Sequence, residues 1–537
     1  MGERLGDSSR YPKFAPPSRK PNHLAKKMVE TNTIICGDYE PISLNEVHCF
    51  SEERDRSHQF RFLSLQWLNQ IIDARGDEKT EGFFCQIWDE VVEPMMESMI
   101  NSNVEEPFFM AHHDHSSALR AIVLAKIYVL AKNKQFKNQV GSYIEFSIDF
   151  LLKENNYSKL TNHGWDQAKA LIICSNILTE KHSSRHRITH HLNSNGFDSE
   201  HSLKCGIARF LDELNHAFTS EGVHVENSPS YHIHMINNLI YTMELFKEQC
   251  ISNDLIIKMD IRAKAGLLFA KMIQRDNMTL PLIGDSYEMP PKLNRYTLDY
   301  MSLYNEVEPI RDFHGFPKSG YAIWKNTHNG NSIHLTLKNG NLSTYHRHDD
   351  DLSITLNFNG KDLLIDSGLF KYEETHPDRL FLRSSFSHST IVCDDECVRS
   401  VSKSLNNTSN SLMKQFKAYS NMWVEKQFSR EITQITANVF QIIDTAESDC
   451  DQLKILFHTP GHVEVNDEKE ILISLEGVCL KISWVIRGQF GFNEIEIKEI
   501  PSKHSRKHGN LESSTIIQVE IPSRQCEYQF TLISESE

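Results

Sequence analysis

The hydrophobic period changes once along this chain, near Pro317, and that change constrains the fold more than any other feature. Upstream, apolar residues recur at helical spacing: Leu119, Val123, Ile127 and Leu130 share one face, as do Ile144, Ile148 and Leu151, then Ile207, Leu211, Leu214 and Phe218. Downstream they alternate with polar neighbours, first at Ile333, Leu335 and Leu337, then at Leu352, Ile354, Leu356 and Phe358 before the turn signal Asn359-Gly360. The alternation returns at Val478, Leu480, Ile482 and Trp484 and at Ile517, Val519 and Ile521. Successive amphipathic helices followed by a large antiparallel sheet, or stacked sheets, is the layout this dictates. Helical stripes joined by short polar connections such as Asn155-Asn156-Tyr157-Ser158 are compatible with a bundle, a solenoid or an α/α toroid.

At 537 residues the chain exceeds one ordinary hydrophobic core. Its 39% apolar and 24% charged residues are those of a folded chain. A formal charge of −15 without any long basic run argues against a nucleic-acid partner. Attraction for an anionic ligand must then be local to a cleft, with some of the 27 histidines contributing. No run of about 18 apolar residues occurs, so no membrane span is expected. The opening Met1–Pro21 carries Arg4, Arg10 and Arg19 with Pro12, Pro16 and Pro17 but no apolar stretch of signal-peptide length. The chain as given is therefore expected to be cytoplasmic, or periplasmic or secreted if a leader was removed. Eleven cysteines without paired spacing fit reduced thiols, and Cys393 and Cys397 are too isolated for a structural zinc site.

Three polar islands carry the candidate chemistry. The densest, Tyr345-His346-Arg347-His348-Asp349-Asp350-Asp351, opens an alternating strand, and two histidines two apart in extended backbone project to one face. The strand turns at Asn359-Gly360 and returns to Asp366-Ser367-Gly368, with His388 following in Ser385–Thr390. Imidazoles and a carboxylate together suit Zn²⁺, although an isolated loop of this kind is more often just solvated. The second island, Thr161-Asn162-His163-Gly164-Trp165, precedes a helix, where Thr161 or Asn162 would ordinarily be an N-cap. The third is Glu226-Asn227-Ser228-Pro229-Ser230-Tyr231-His232, in which Ser228 and Pro229 mark a helix start and Tyr231 would ordinarily be a packing residue.

The string HRHDDDLSITLNFNGKDLLIDSG from His346 to Gly368, followed by SFSHSTIVCDD, resembles the heparinase II/III signature, an HxHxD element followed by an AHNT-like one. TNHGWDQAKALI, VENSPSYHIHM and the run from Ala111 to Arg120 stand in the matching order, so the resemblance spans roughly residues 110–395. Two positions depart from the pattern: Arg347 stands where the family often has a small residue, and Ser389 where Asn is common.

The resemblance implies an α+β multidomain fold, an α/α toroid at residues 41–312 and an antiparallel β-sandwich at 313–537, after a disordered or extended leader at 1–40. It implies a polysaccharide lyase that cleaves a uronic-acid-containing glycan, glycosaminoglycan-like or alginate-like, by β-elimination to unsaturated uronate ends. The partner would be an anionic uronate polysaccharide or oligosaccharide. By this resemblance Asn162, with His163 or another donor, neutralises the uronate carboxylate, and Tyr231 protonates the leaving oxygen. His163 and His346 flank the sugar, either being a possible base, and His348, Asp366 and His388 hold a divalent metal, a structural zinc. Arg120, Arg379 and Arg383 could meet a carboxylate or sulfate, or equally form surface ion pairs. The alternatives are a uronyl C5-epimerase on the same scaffold, a glycoside hydrolase on an α/α toroid using Asp166 and Glu226, and a non-catalytic glycan-binding protein.

Overall fold

A computed structural model describes residues 23–37, 39–44, 56–74, 76–101, 112–182, 198–304, 312–393, 405–420, 422–423, 426–447, 452–485 and 494–534. Most of the proline-rich leader, Ala111 and Cys397 lie outside them. Helices run through residue 304 and the main strands begin at Phe313, so helices come first and antiparallel sheets follow. Within the stretch expected as leader, His23–Thr31 is a helix with Ala25 and Met28 buried. No described helix is long and apolar enough to cross a membrane.

The chain divides into two compact units. The first, residues 1–217 with 241–260, is helical among its described residues apart from loops and the short pair Thr33–Ile34 and Ile42–Ser43. The helix Lys134–Leu152 starts at Asn133, whose side chain accepts from the backbone N–H groups of Gln135 and Phe136. Its last carbonyls, which have no partner inside the helix, are met by Arg209, which donates to Leu151 O at 2.7 Å and Leu152 O at 2.9 Å. That use of Arg209 turns the helix Ser199–Ala217 away from the stripe its sequence suggests. Gly206, Arg209, Phe210, Glu213 and Leu214 face inward, while Ile207 and Leu211 are only half-buried. The inward charges are tolerated because each has partners. Gly206 allows the approach to the helix Asn162–His182, since a Cβ there would lie 3.0 Å from Leu171 and Ile172.

The second unit, residues 218–240 with 261–537, holds the sheets. Five strands from Phe313 to Leu364 follow one another antiparallel in chain order. The expected hairpin joins Ser353–Phe358 to Lys361–Leu364, with φ of +50° at Asn359 and +79° at Gly360, the mirror-image turn that the Asn-Gly pair favours. Sheets of eight and four strands, built from residues 391–534, share one apolar core with this sheet, in which Trp324, Ile354, Phe457, Tyr528 and Phe530 are buried. That is a β-sandwich. Ile233, Phe269 and Met272 from helical segments of the same unit pack with Phe316, Tyr321 and Ile323 at one end of the five-stranded sheet.

Candidate active site and metal centre

In the second unit the loops that leave the secondary structure converge on one carboxylate that the sequence did not single out, Asp285. It is buried in the segment Ile283-Gly284-Asp285-Ser286. Gly284 has φ +55°, and a Cβ there would sit 2.5 Å from Asn227 O and 2.9 Å from His346 O, so only glycine fits. The Asn227 side chain ties the loop before Pro229 to the histidine loop, donating to Ser343 O at 2.8 Å and Tyr345 O at 3.0 Å. Ser228 Oγ donates to Asp285 O at 3.0 Å.

The Asp285 carboxylate accepts four hydrogen bonds. His346 Nδ1 and Arg379 Nη2 reach Oδ2 at 3.0 and 2.9 Å, and His348 Nε2 and Arg379 Nη1 reach Oδ1 at 3.0 and 2.5 Å. Burial would raise its pKa, but the bonds from His346, His348 and Arg379 outweigh that and hold it far below the usual carboxylate range. The two histidines therefore do serve one centre, though not by extended-strand geometry. His346 has φ +55° and belongs to a loop, so a shared acceptor rather than backbone alternation brings the rings together.

Tyr231 lies in the first turn of the helix Pro229–Glu248, and its ring stacks on His346 with centroids 3.5 Å apart and planes 18° apart. Its hydroxyl is 2.8 Å from that of Tyr372. Burial, with Tyr372 and the Asp285 charge adding to it, pushes the Tyr231 phenol well above its ordinary value. It is thus a proton donor at neutral pH, not a phenolate. Glu226 Oε2 stands 3.6 Å from His346 Nε2 and 3.4 Å from His224 Nε2.

His348, Asp366 and His388 are fully buried, and their ligand atoms lie within 4.8 Å of one another, a group that can hold a metal ion. Its hydrogen bonding is incomplete in the way a cation would complete. The anionic Asp285 fixes the proton of His348 on Nε2, which leaves a lone pair on Nδ1. Ser367 Oγ is 3.3 Å from that nitrogen, but its hydroxyl proton goes to Leu382 O at 2.6 Å. His388 bonds Asp366 through Nδ1 at 2.9 Å, and its Nε2 is buried without a partner. Burial acts against both charges of that pair, yet mutual attraction holds Asp366 low and His388 high, so a cation binding here would take the place of a His388 proton.

In the first unit Thr161, not Asn162, caps the helix Asn162–His182: its hydroxyl accepts from Gly164 N at 3.1 Å and donates to Ser158 O at 2.7 Å. The Asn162 side chain is exposed and has no hydrogen-bond partner among the described residues. His163 Nδ1 donates to Asp114 Oδ2 at 3.2 Å, and its ring stacks on His115 at 4.3 Å. Ser158 also donates to Asp114. Against its burial, these bonds hold the Asp114 carboxyl well below its ordinary value. Glu213 braces the loop, accepting from Tyr157 Oη at 2.6 Å and Leu160 N at 2.9 Å. Gly164 lets it do so, because a Cβ there would meet Glu213 Oε1 at 2.4 Å. His113, Asp114 and His163 form a second group of metal-ligating type, also within 4.8 Å.

The other candidates are used differently. Arg379 is buried on Asp285 and is neither a surface ion pair nor free to meet a ligand. Arg120 is buried and donates to Leu63 O at 3.0 Å, and Arg383 donates to Arg347 O at 3.0 Å and pairs with Glu374. Arg347, the residue that departs from the family pattern, is buried with Nη2 3.5 Å from Asp349. Asp166 is held low by Lys169 and His115 in spite of burial, and Glu226 by His224.

The model of the heparinase II/III N-terminus matches residues 196–311, and that of the heparinase II/III-like C-terminal region matches 308–532. A heparin-sulfate lyase of Bacteroides stercoris is 22% identical over 213 residues, covering 36% of this chain and 32% of that protein. The match thus spans about a third of that curated relative. A crystal structure of a heparan sulfate lyase from Pedobacter heparinus superposes with a TM-score of 0.75 at 14% identity, covering 98% of this chain and 87% of that one. One of heparinase III gives 0.68 at 14% identity, covering 99% and 87%. Both are similar in fold, helical N-terminal domain and β-sandwich alike. The two family models adjoin and together take in well over half of the sequence: the chain belongs to the heparinase II/III family.

Proposed function

We propose that this chain is a polysaccharide lyase that breaks a uronic-acid-containing glycan of glycosaminoglycan type by β-elimination. The observation that carries the reading is the Tyr231–His346 stack: a phenol kept protonated lies against an imidazole whose Nδ1 is tied to a buried carboxylate. Elimination needs a group that takes the C5 proton, a group that protonates the C4 oxygen as its bond to carbon breaks, and a donor that offsets charge on the uronate. Tyr231 suits the second task. His346 or His163 suits the first, each having Nδ1 engaged by a carboxylate so that Nε2 is the nitrogen left for a sugar. Asn162, with an unengaged amide, suits the third.

The family resemblance and the incomplete hydrogen bonding of His348 and His388 support a resident divalent ion held by His348, Asp366 and His388, with zinc favoured by that donor set. When bound, such an ion supplies positive charge that organises the loop between His346 and His348. The hydrolase reading is disfavoured, since it requires a carboxyl kept protonated and both Asp166 and Glu226 are held low. The test is a panel of uronate polysaccharides and oligosaccharides scored by the ultraviolet absorbance of the unsaturated product. Absorbance growing with at least one member supports a lyase. Inversion at C5 without cleavage would make it an epimerase, and binding without turnover would make it a glycan-binding protein.

A further inference from the structure

We infer that Asp285 is a positioning residue that couples the metal centre to His346, by fixing the tautomers of His346 and His348 together. The role assigned to His346 rests on the lyase reading above; the coupling itself does not. Each oxygen of this carboxylate takes one histidine and one arm of the Arg379 guanidinium: Oδ2 takes His346 Nδ1 at 3.0 Å with Nη2 at 2.9 Å, and Oδ1 takes His348 Nε2 at 3.0 Å with Nη1 at 2.5 Å. The bidentate arginine removes the freedom of the carboxylate to rotate, because planar fork and planar carboxylate match in only one orientation.

An ionised carboxylate only accepts, so both histidines must present N–H to it. On His346 this puts a proton on Nδ1 and leaves Nε2, 3.6 Å from Glu226 Oε2, outside the Asp285 bond. On His348 it puts the proton on Nε2 and the lone pair on Nδ1, turned toward the group that contains Asp366 and His388. The rings sit on opposite oxygens of one group, so charge drawn from His348 by a cation is passed through two hydrogen bonds to His346. Carboxylates behind metal-bound imidazoles tune ligand basicity in this way. Here the same carboxylate also holds a second imidazole. The backbone reinforces the link: Asp285 N donates to His346 O at 3.4 Å, and Gly284 lets the His346 carbonyl come this close, since a Cβ there would sit 2.9 Å from it.

The direct test is nitrogen NMR of the full-length chain labelled at histidine, with His346 and His348 assigned by difference from His346→Gln and His348→Gln. The wild type should show His346 protonated on Nδ1 and His348 on Nε2, and adding zinc and then removing it with a chelator should shift the His346 resonances reversibly. His346 protonated on Nε2, or resonances indifferent to zinc, would overturn the inference whether or not any glycan is cleaved. Asp285→Asn keeps the shape but can accept with only one of its two side-chain atoms. In that variant zinc affinity should fall about 10–100-fold, and turnover on a glycan cleaved by the wild type should fall through kcat with KM little changed. A folded Asp285→Asn protein with unaltered zinc affinity would also overturn it. If Asp285→Asn does not fold, the wild-type spectra still decide.

Discussion

Among the described residues the same triplet of residue types occurs twice, His113–Asp114–His163 among the helices and His348–Asp366–His388 at the sandwich, and the two differ in how their polar atoms are used. In the helical group the Nδ1 atoms and both carboxylate oxygens have internal work. His113 Nδ1 accepts from His115 N at 3.3 Å as a helix cap, and Asp114 accepts from His115 N, Ser158 and His163. All three residues are half-exposed. In the sandwich group burial is complete, and among the described residues His388 Nε2 has no partner and His348 Nδ1 meets only Ser367 Oγ, whose proton goes to Leu382 O. Identical ligand types thus close a hydrogen-bond network in one place and leave a group that can hold a metal ion in the other. The count of available protons, not the residue types, decides which.

The largest effect should come from the sandwich side. Tyr231→Phe removes one hydroxyl beside His346 and should lower the rate of elimination by about 10²–10⁴-fold while circular dichroism and melting stay close to wild type; near-full activity would end the acid assignment. Asn162→Ala on the helical side should cost about 10²–10³-fold in turnover, the usual range for one charge-stabilising donor. Because Thr161 is the cap, Asn162→Ala should not change the melting temperature, and a variant that melts earlier but turns over normally would return Asn162 to a structural role. His348→Ala should reduce bound zinc from about one per chain to near none and lower activity with it, whereas His113→Ala should leave the zinc in place. Zinc lost from His113→Ala instead would reverse the comparison. The smallest effect is expected for Thr161→Ala, a loss of about 1 kcal/mol of stability from a lost cap, measured by denaturant unfolding.

Much of this was legible from local pattern. The helical stripes at Leu119–Leu130 and Ile144–Leu151 are buried as their spacing demands, and the Asn359-Gly360 turn has the positive φ pair its residues favour. The residues named from the family motifs lie where two centres can be described around them, Tyr231 with His346 and Asn162 with His163. What escaped is long-range. Asp285 finds its partners 61, 63 and 94 residues along the chain, and a lone Asp in Gly284-Asp285-Ser286 looks like any turn. The only local hint was an acid beside a glycine at the end of an apolar run, Leu280–Ile283. The inward face of Ser199–Ala217 was missed for a related reason: Arg209 and Glu213 count as polar by type but are buried, because carbonyls and a tyrosine elsewhere in the unit satisfy them. Thr161 and Asn162 were equivalent cap candidates until the backbone placed one hydroxyl over Gly164 N.

The central claim, that Tyr231 and His346 carry out an elimination, is tested most directly by running the wild-type reaction on a glycan it cleaves in heavy-oxygen water and weighing both new chain ends. Elimination adds no water across the broken bond, so the account predicts one unsaturated uronate end free of heavy oxygen, and fragments that, weighed in ordinary water, sum to the mass of the substrate. A saturated uronate end, with fragments whose masses sum to the substrate plus one water, would show hydrolysis and contradict it.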